Sequence, residues 1–209
     1  MCDVNAVRPD RACLFDVAAT QQGYFTAAQA GTCGYSPALL AHHARGGRFL
    51  RVRRGLYRLR EYPSSPREEV LAAWLAAGAD RAVVSHESAL DLLELSDVIP
   101  NAIHLTIQRS RRGLVAPPGV LLHTTTRPPR RDETTEREGL RLTAPLRTIL
   151  DAAERGTAPE QIVLAVGQAL ARGWLTEAEL RHESAARPNR VMRLVEAALA
   201  EARVTRISA

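Results

Sequence analysis

Three adjacent residues, Ser85, His86 and Glu87, bring a hydroxyl, an imidazole and a carboxylate to the start of a predicted helix. Side chains of these types can transfer protons, and the free backbone N–H groups at a helix start favour a nearby anion. The alternative is structural, because a serine at this position also caps a helix. The residues alone favour the capping interpretation.

A second group of side chains lies at Arg147 and Asp151, with Asp97 as a further acidic residue in this part of the chain. Residues four apart on a helix face each other, so Arg147 and Asp151 can form an ion pair that contributes about 0.2–0.5 kcal/mol. The same two residues could instead hold a phosphate and a magnesium ion. Their spacing favours the ion pair.

Histidines and cysteines predict no metal site. His104 and His123 fall on neighbouring predicted strands, where they could approach each other or simply pack, and the pair His42-His43 has no second pair of ligands. Three cysteines without C-x-x-C spacing indicate neither a disulfide framework nor a zinc knuckle. No nucleophile, base and orienting group occur at a recognisable spacing, so the residues alone support no enzymatic activity.

The stretch from Arg45 to Arg60 contains seven arginines and no acidic residue. Residues 1–62 contain nine arginines and four acidic residues, whereas residues 63–209 contain nineteen of each, so the whole formal charge of +5 lies in the first third. Excess positive charge on one face attracts polyanions and releases their counterions. A merely solvated surface mixes both signs, so this stretch predicts binding to nucleic acid.

The chain contains no lysine, since all 28 basic residues are arginine. A P-loop, the strand lysine of ordinary protein kinases and the lysine of the common restriction-nuclease core each require one. The composition therefore excludes these three classes of site.

Three predicted helices precede the basic stretch. Apolar spacing indicates a helix over residues 8–21, and Thr26 can cap a short second helix. Ser36 is a good cap for the third helix, Pro37 suits its first turn, and the glycines at 46–47 end it.

Residues 48–59 then predict a two-stranded hairpin that turns at Arg54-Gly55. The apolar residues expected to face the domain are Leu50, Val52, Tyr57 and Leu59, and the arginines between them are expected to face outward. Three helices followed by a basic hairpin form a winged helix-turn-helix, in which the third helix enters the major groove and the wing lies along the phosphates. The candidate DNA-binding residues are Thr26, Ser36, Pro37, Ala38, His42, Arg45, Arg48, Arg51, Arg53, Arg54 and Arg58.

A turn-rich segment at residues 62–69 predicts the boundary between a first domain, 1–62, and a second domain, 63–209. The second domain reads as six helices and four short strands, with helix caps expected at Ser65, Ser85, Thr143, Thr157 and Thr176. The predicted class is α+β, an N-terminal winged helix-turn-helix followed by a mostly helical α/β C-terminal domain with a small sheet.

The sequence predicts a cytoplasmic protein without a membrane partner. The N-terminal ten residues lack a secretory signal pattern, and the longest apolar run, Val70–Ala79, is too short to cross a bilayer.

Three blocks that occur in order resemble the AbiEi antitoxins of AbiE-type toxin–antitoxin operons, which include mycobacterial MenA-type members. These blocks are GYFTAAQA…GYSPALLAHHARGGRFLRVRRGLYRLREYP, VVSHESALDLLELSDVIPNAIHLTI and RLTAPLRTILDAAERG, and they span roughly residues 18–160. The resemblance implies a winged helix that binds inverted repeats upstream of its own operon and represses it, with a homodimer expected on the DNA. It also implies a second domain that counteracts a nucleotidyltransferase-like toxin.

The resemblance leaves open how the toxin is counteracted. Some relatives bind the toxin, some act without a stable complex, and an atypical serine kinase that phosphorylates the toxin has been proposed for mycobacterial relatives. DNA binding requires no cofactor, whereas the kinase alternative requires ATP and Mg²⁺. Candidate toxin-neutralising or catalytic residues are Ser85, His86, Glu87, Asp97, Arg147 and Asp151. A third alternative is a transcription factor whose second domain senses a ligand.

Overall fold

We describe the fold from a computed structural model, which defines residues 8–111 and 113–207. The chain divides into two compact units, residues 1–80 and 81–209, rather than at residue 62. The division falls later because the helix Glu68–Ala77, expected in the second domain, packs on strands of the first unit. No helix of the described residues is long and apolar enough to cross a membrane.

The first unit contains four helices and a three-stranded antiparallel sheet. Its elements are α1 Arg11–Ala19, β1 Tyr24–Thr26, α2 Ala27–Thr32, α3 Pro37–Arg45, β2 Phe49–Arg53, β3 Leu56–Leu59 and α4 Glu68–Ala77. Strand β3 is the middle strand, because β1 pairs with it on one side and β2 on the other. The two predicted wing strands are therefore joined by a third, Tyr24–Thr26, which was not predicted.

An aromatic cluster forms the core of the first unit. Phe25 is fully buried, and its ring lies 5.1 Å from that of Phe49 and 5.8 Å from that of Tyr57. Leu14 of α1 and Leu40 of α3 are buried in the same cluster. The core thus fixes α3 and the hairpin on one scaffold.

Cys13 and Cys33 form a disulfide, so the expectation of no disulfide was wrong. Cys13 lies in α1 and Cys33 directly follows α2, and the packing of these two helices brings the Cα atoms to 5.7 Å. Sequence spacing alone does not reveal that contact. Cys2 lies outside the described residues.

The second unit combines a mixed five-stranded sheet with five helices among its described residues. The elements are β4 Ala82–Val84, α5 His86–Leu92, β5 Ile103–Gln108, β6 Val120–Thr125, β7 Thr134–Arg137, β8 Leu140–Thr143, α6 Pro145–Arg155, α7 Pro159–Ala171, α8 Glu177–Ser184 and α9 Asn189–Ile207. The strand order is β6-β5-β4-β8-β7, with parallel pairs β5/β6 and β4/β8. Strand β7 was expected to be a polar loop.

Three of the residues that were expected to cap helices form other hydrogen bonds instead. Helix α4 begins at Glu68 without a side-chain cap, and Ser65 only closes the preceding turn. Thr143 ends β8, and its hydroxyl meets that of Thr148 at 2.6 Å. Thr157 donates to Glu87 at 2.9 Å instead of capping α7. The cap at Thr176 is confirmed, since Thr176 and Glu179 form a capping box.

Candidate functional site

Helix α3 presents a polar face to solvent. Ser36 caps it by accepting a hydrogen bond from the Leu39 N–H at 3.2 Å, and Pro37 occupies the first turn, as predicted. Leu40 is buried and Ala44 half-buried, which turns the opposite side of the helix outward. That exposed side carries the predicted residues Ser36, Ala38, His42 and Arg45.

Four arginines at the end of α3 and in the hairpin region are exposed and carry unpaired charge. They are Arg45, Arg48, Arg51 and Arg54, and within the described residues none of them makes an ion pair. Arg53 is half-buried. A group of cations without acidic partners creates a positive potential, which is the electrostatic requirement for contact with phosphates.

Arg58 does not face outward, so its place among the DNA-binding residues was wrong. It lies on the middle strand β3 and is only 7% exposed. Its guanidinium donates to the Pro63 carbonyl at 2.8 Å, pairs with Glu68 at 3.2 Å and lies over the Tyr24 ring. The expected alternation does not hold at Arg58 because Tyr24 of the added strand β1 lies opposite it, and because Pro63 and Glu68 contact its guanidinium.

One further wing expectation was also wrong. Val52 is 39% exposed rather than facing the domain, since the bulge in β2 rotates the strand locally. The cap predicted at Thr26 is confirmed, because Thr26 is half-buried and its side chain forms a capping box with Gln29 at the start of α2. Its hydroxyl is therefore engaged within the unit.

The second unit contains a polar pocket of about 520 Å³. Its lining combines residues of α5, β5, β6 and α6 with Arg187, which follows α8. Among the predicted residues it brings together His86, Arg147 and Asp151. Asp97 is exposed in the loop after α5 and does not line the pocket.

Ser85 lies behind this pocket in a buried polar network, and it does not cap α5. Its hydroxyl oxygen lies 2.9 Å from His86 Nδ1 and accepts a hydrogen bond from Thr106 at 2.8 Å. Ser88 accepts from the His104 backbone N–H at 2.9 Å, which ties α5 to β5. The capping interpretation was wrong because the hydroxyl finds these side-chain partners instead.

Three imidazoles meet at the pocket wall. His104 Nδ1 lies 3.1 Å from His123 Nε2, and the rings of His86 and His123 stack with centroids 3.6 Å apart. The approach of His104 to His123 follows from the parallel pairing of β5 with β6. Glu87 Oε2 lies 4.0 Å from His104 Nε2, on the outer side of that ring.

Burial keeps these imidazoles neutral at pH 7. Burial, together with the neighbouring His123, lowers the pKa of His86 to about 2. Burial and the neighbouring His104 lower the pKa of His123 to about 4. Burial also lowers the pKa of His104, although Glu87 opposes the shift.

Asp151 is buried and neutralised by two arginines. Arg147 Nε donates to one carboxylate oxygen at 2.7 Å, which confirms the predicted ion pair, and Arg187 donates to the other at 2.8 Å. Arg187 also pairs with Glu154. Burial alone would lower the pKa of Arg187, but the carboxylates of Asp151 and Glu154 raise it by more. The pKa of Arg187 is therefore higher than its usual value.

Sequence reasoning missed part of this pocket. Arg187 lies 36 residues from Asp151, a separation that carries no local signal. Arg155, on the last turn of α6, also lines the pocket and has no carboxylate partner among the described residues. The four-residue spacing from Asp151 to Arg155 places both residues on the same face of α6, and this was the sequence signal for Arg155.

Most of the chain resembles a solved structure, and its N-terminal part also matches a family model. The chain is similar to the Rv2827c protein of Mycobacterium tuberculosis, a crystal structure, with a TM-score of 0.63 and 16% identity over 90% of this chain and 75% of that one. At that identity the likeness shows the fold alone, and it confirms the predicted α+β class. No protein of curated function matches the sequence.

Residues 14–60 match the family model described as a transcriptional regulator, AbiEi antitoxin. The first unit therefore contains, over residues 14–60, a domain of the AbiEi antitoxin family of transcriptional regulators.

Proposed function

We propose that this protein is the antitoxin of a type IV- or VII-like toxin–antitoxin operon and represses that operon by binding DNA through its first unit. Family membership of residues 14–60 supports the regulatory role. In the proposed complex, α3 enters the major groove and the wing contacts the phosphates. Inverted repeats would be bound by two copies of the chain, because half-site symmetry mirrors protein symmetry.

The observation that carries this proposal is the set of exposed, unpaired arginines at the end of α3 and in the hairpin region. Arg48, Arg51 and Arg54 belong to the hairpin region, and Arg45 ends α3. Exposed guanidinium groups of this kind can each neutralise one phosphate. The polar residues Ser36 and His42 lie on the helix that would face base edges.

The test is the salt dependence of binding to the DNA upstream of the operon. Arg51→Ala and Arg54→Ala should each weaken binding and reduce the slope of log K against log salt by about 0.9 per lost phosphate contact. Arg193→Ala removes an exposed arginine of α9 and serves as the matched control. Equal slopes for the three variants would contradict the proposed interface.

We further propose that the second unit counteracts a nucleotidyltransferase-like toxin encoded in the same operon. This function rests on the resemblance of the second and third sequence blocks to AbiEi antitoxins. Its test is co-expression with the product of the adjacent gene, followed by measurement of growth. If the adjacent gene encodes no nucleotidyltransferase, a ligand-sensing regulator becomes the better account of the pocket in the second unit.

The kinase alternative places ATP and Mg²⁺ in the second unit. Arg147, Arg155 and Arg187 could face phosphates in the pocket. Both carboxylate oxygens of Asp151 already accept from arginines, so a magnesium ion would have to displace one of those groups. Intact mass of the purified toxin, mixed with this protein with and without ATP and Mg²⁺, separates the two mechanisms. A gain of one phosphate that requires this protein indicates a kinase, and rescue without a mass change indicates a binding module.

A further inference from the structure

The imidazoles of His86, His104 and His123 form a compact cluster in the second unit. One nitrogen from each ring lies within 4.8 Å of one nitrogen of each of the other two rings. His86 is the first residue of α5, His104 lies on β5 and His123 on β6, so three separate elements supply the cluster. Imidazole nitrogen is a preferred ligand of Zn²⁺ and of the neighbouring transition metals.

In two of the rings, the nitrogen that is not proposed as a ligand, here called the outer nitrogen, already faces a polar partner. His86 Nδ1 lies 2.9 Å from the Ser85 hydroxyl, which leaves Nε2 for a ligand. His104 Nε2 faces the Glu87 carboxylate at 4.0 Å, and Thr157 anchors the other oxygen of that carboxylate at 2.9 Å. A carboxylate that accepts a hydrogen bond from a metal-binding histidine orients the ring and raises its basicity, and Glu87 would reach His104 in this way if the two groups closed by about 1 Å.

The backbone at His86 supplies an independent observation. His86 has a φ of 53°, in the left-handed region that residues other than glycine rarely adopt. Such conformations persist where the surrounding structure imposes them, and they cluster at functional sites. Here the conformation lets α5 start with its imidazole against the two strand histidines.

We propose that His86, His104 and His123 bind one divalent transition-metal ion of the zinc type. The ligands are His86 Nε2, His104 Nδ1 and His123 Nε2, and each ring carries its proton on the outer nitrogen. Zinc–nitrogen bonds of about 2.0–2.1 Å in a tetrahedral site place the ligand nitrogens roughly 3.3 Å apart. His104 Nδ1 and His123 Nε2 are already 3.1 Å apart.

Binding requires one local movement. The rings of His86 and His123 are stacked at an angle of 16°, whereas a metal ion lies near the plane of each ligand ring, so one ring must tilt. His123 is half-buried on the edge strand β6 and borders the pocket, which gives it room to do so. The Ser85 hydroxyl contacts the His86 ring, and the Ser88 hydroxyl holds the His104 backbone on β5.

In the proposed site the fourth coordination position would face the pocket, because His86 and His123 both line it. Three histidine ligands with one open position are typical of zinc sites that accept water or a substrate atom. Arg147 and Arg155 line the same pocket, so an oxyanion there would meet both the metal ion and a guanidinium group.

The test is zinc binding to the full chain, measured by competition with a chromophoric chelator. All proteins carry Cys2→Ser, so that the Cys2 thiol adds no ligand. We expect one equivalent of zinc per chain, and a Co²⁺ form with the visible absorption of a four-coordinate ion without thiolate bands. His123→Gln, at the half-buried edge strand, should lower the affinity by more than about 100-fold, because changes behind the ligands alone typically cost 10–100-fold.

Two further variants test the roles of Glu87 and His86 in zinc binding, and a third variant is the control. Glu87→Gln should lower zinc affinity by about 10–100-fold and leave the cobalt spectrum four-coordinate, as a positioning residue does. His86→Asn keeps a residue that tolerates the left-handed backbone, so loss of binding there reports the imidazole itself. His182→Gln changes an exposed histidine of α8 and should leave binding unchanged. Unaltered zinc affinity in folded His123→Gln, or equal losses in His182→Gln, would overturn the proposal.

Discussion

At the scale of single residues, two arginines of the hairpin have opposite environments. Arg54 is exposed at the turn, whereas Arg58 is buried under contacts with Pro63, Glu68 and the Tyr24 ring. A guanidinium group in the first environment is free to bind phosphate, and in the second it stabilises the unit.

Arg58→Ala should therefore destabilise the protein by about 2–3 kcal/mol, since it leaves the Glu68 carboxylate and the Pro63 carbonyl without their donor. Urea denaturation measures this loss. Arg54→Ala is the control, with a change in unfolding free energy within about 0.5 kcal/mol and a reduced salt slope of DNA binding. The reverse pattern would mean that Arg58 contacts DNA.

Asp151 is a structural residue in the present arrangement. Asp151→Ala leaves the side chains of Arg147 and Arg187, 12% and 20% exposed, without their shared carboxylate. Breaking a buried ion pair costs about 3–5 kcal/mol, and we expect a loss near the lower end of that range. Glu154→Gln removes a more exposed partner of Arg187 and should cost less than about 1 kcal/mol. Urea denaturation of both variants makes the comparison, and a neutral Asp151→Ala would assign the residue another role.

Acid should destabilise the metal-free protein through the buried histidines. The folded-state pKa of His86, about 2, is far below the 6.5 of a free histidine, so below pH 6.5 the unfolded chain takes up a proton that the folded chain does not. The stability that His86 contributes is therefore complete above pH 6.5 and falls by about 1.4 kcal/mol per pH unit below it. Thermal denaturation with chelator between pH 7 and pH 5 should show a shallower loss for His86→Asn than for the unchanged protein. Parallel curves would show that His86 is protonated in the folded state.

At the scale of elements, strand β1 determines how the wing is built. It adds a third strand to β3, and the chain enters it through Gly23, whose backbone has a φ of 85°. A Cβ atom at Gly23 would lie 2.5 Å from the Tyr62 Cβ. Both the conformation and the space at this position require glycine.

Gly23→Ala should destabilise the first unit by at least about 1–3 kcal/mol, because strain and a steric clash act together. Gly31→Ala is the matched control, since Gly31 lies in α2 with open space around its Cα. That change should be neutral or stabilise by up to about 1 kcal/mol. Thermal denaturation of the two variants would refute this account if they shifted in the same direction.

At the scale of the whole molecule, charge separates the two parts of the chain. Residues 1–62 hold a net charge of +5, and the acidic residues of 63–80 lower the charge of the first unit as a whole to +3. Affinity for a polyanion should therefore reside in residues 1–62 of the first unit, and the pocket and histidine cluster belong to the second.

Variants of the wing should therefore lose repression but keep toxin rescue. A double variant Arg51→Ala, Arg54→Ala is expected to derepress a reporter placed behind the operon promoter while growth with the co-expressed toxin stays normal. Variants of the second unit that lose rescue should still repress the reporter. A wing variant that binds DNA normally yet fails to restore growth in the presence of the toxin would contradict the assignment of repression to the first unit and toxin rescue to the second.

The amino-acid sequence alone determined those features that depend on neighbours along the chain. Ser36 and Pro37 start α3, Thr176 caps α8, and the arginines of residues 45–60 mark the charged surface, because caps and charge runs act within a few residues. Only the tertiary structure decided which side of β3 is covered, that Ser85 joins His86 and Thr106, and that Cys13 meets Cys33. These contacts join segments that are distant in sequence, or they replace a local hydrogen bond by a buried one. The local pattern of apolar and polar residues does not predict such contacts, because the free energy of packing depends on which surfaces meet in the folded chain.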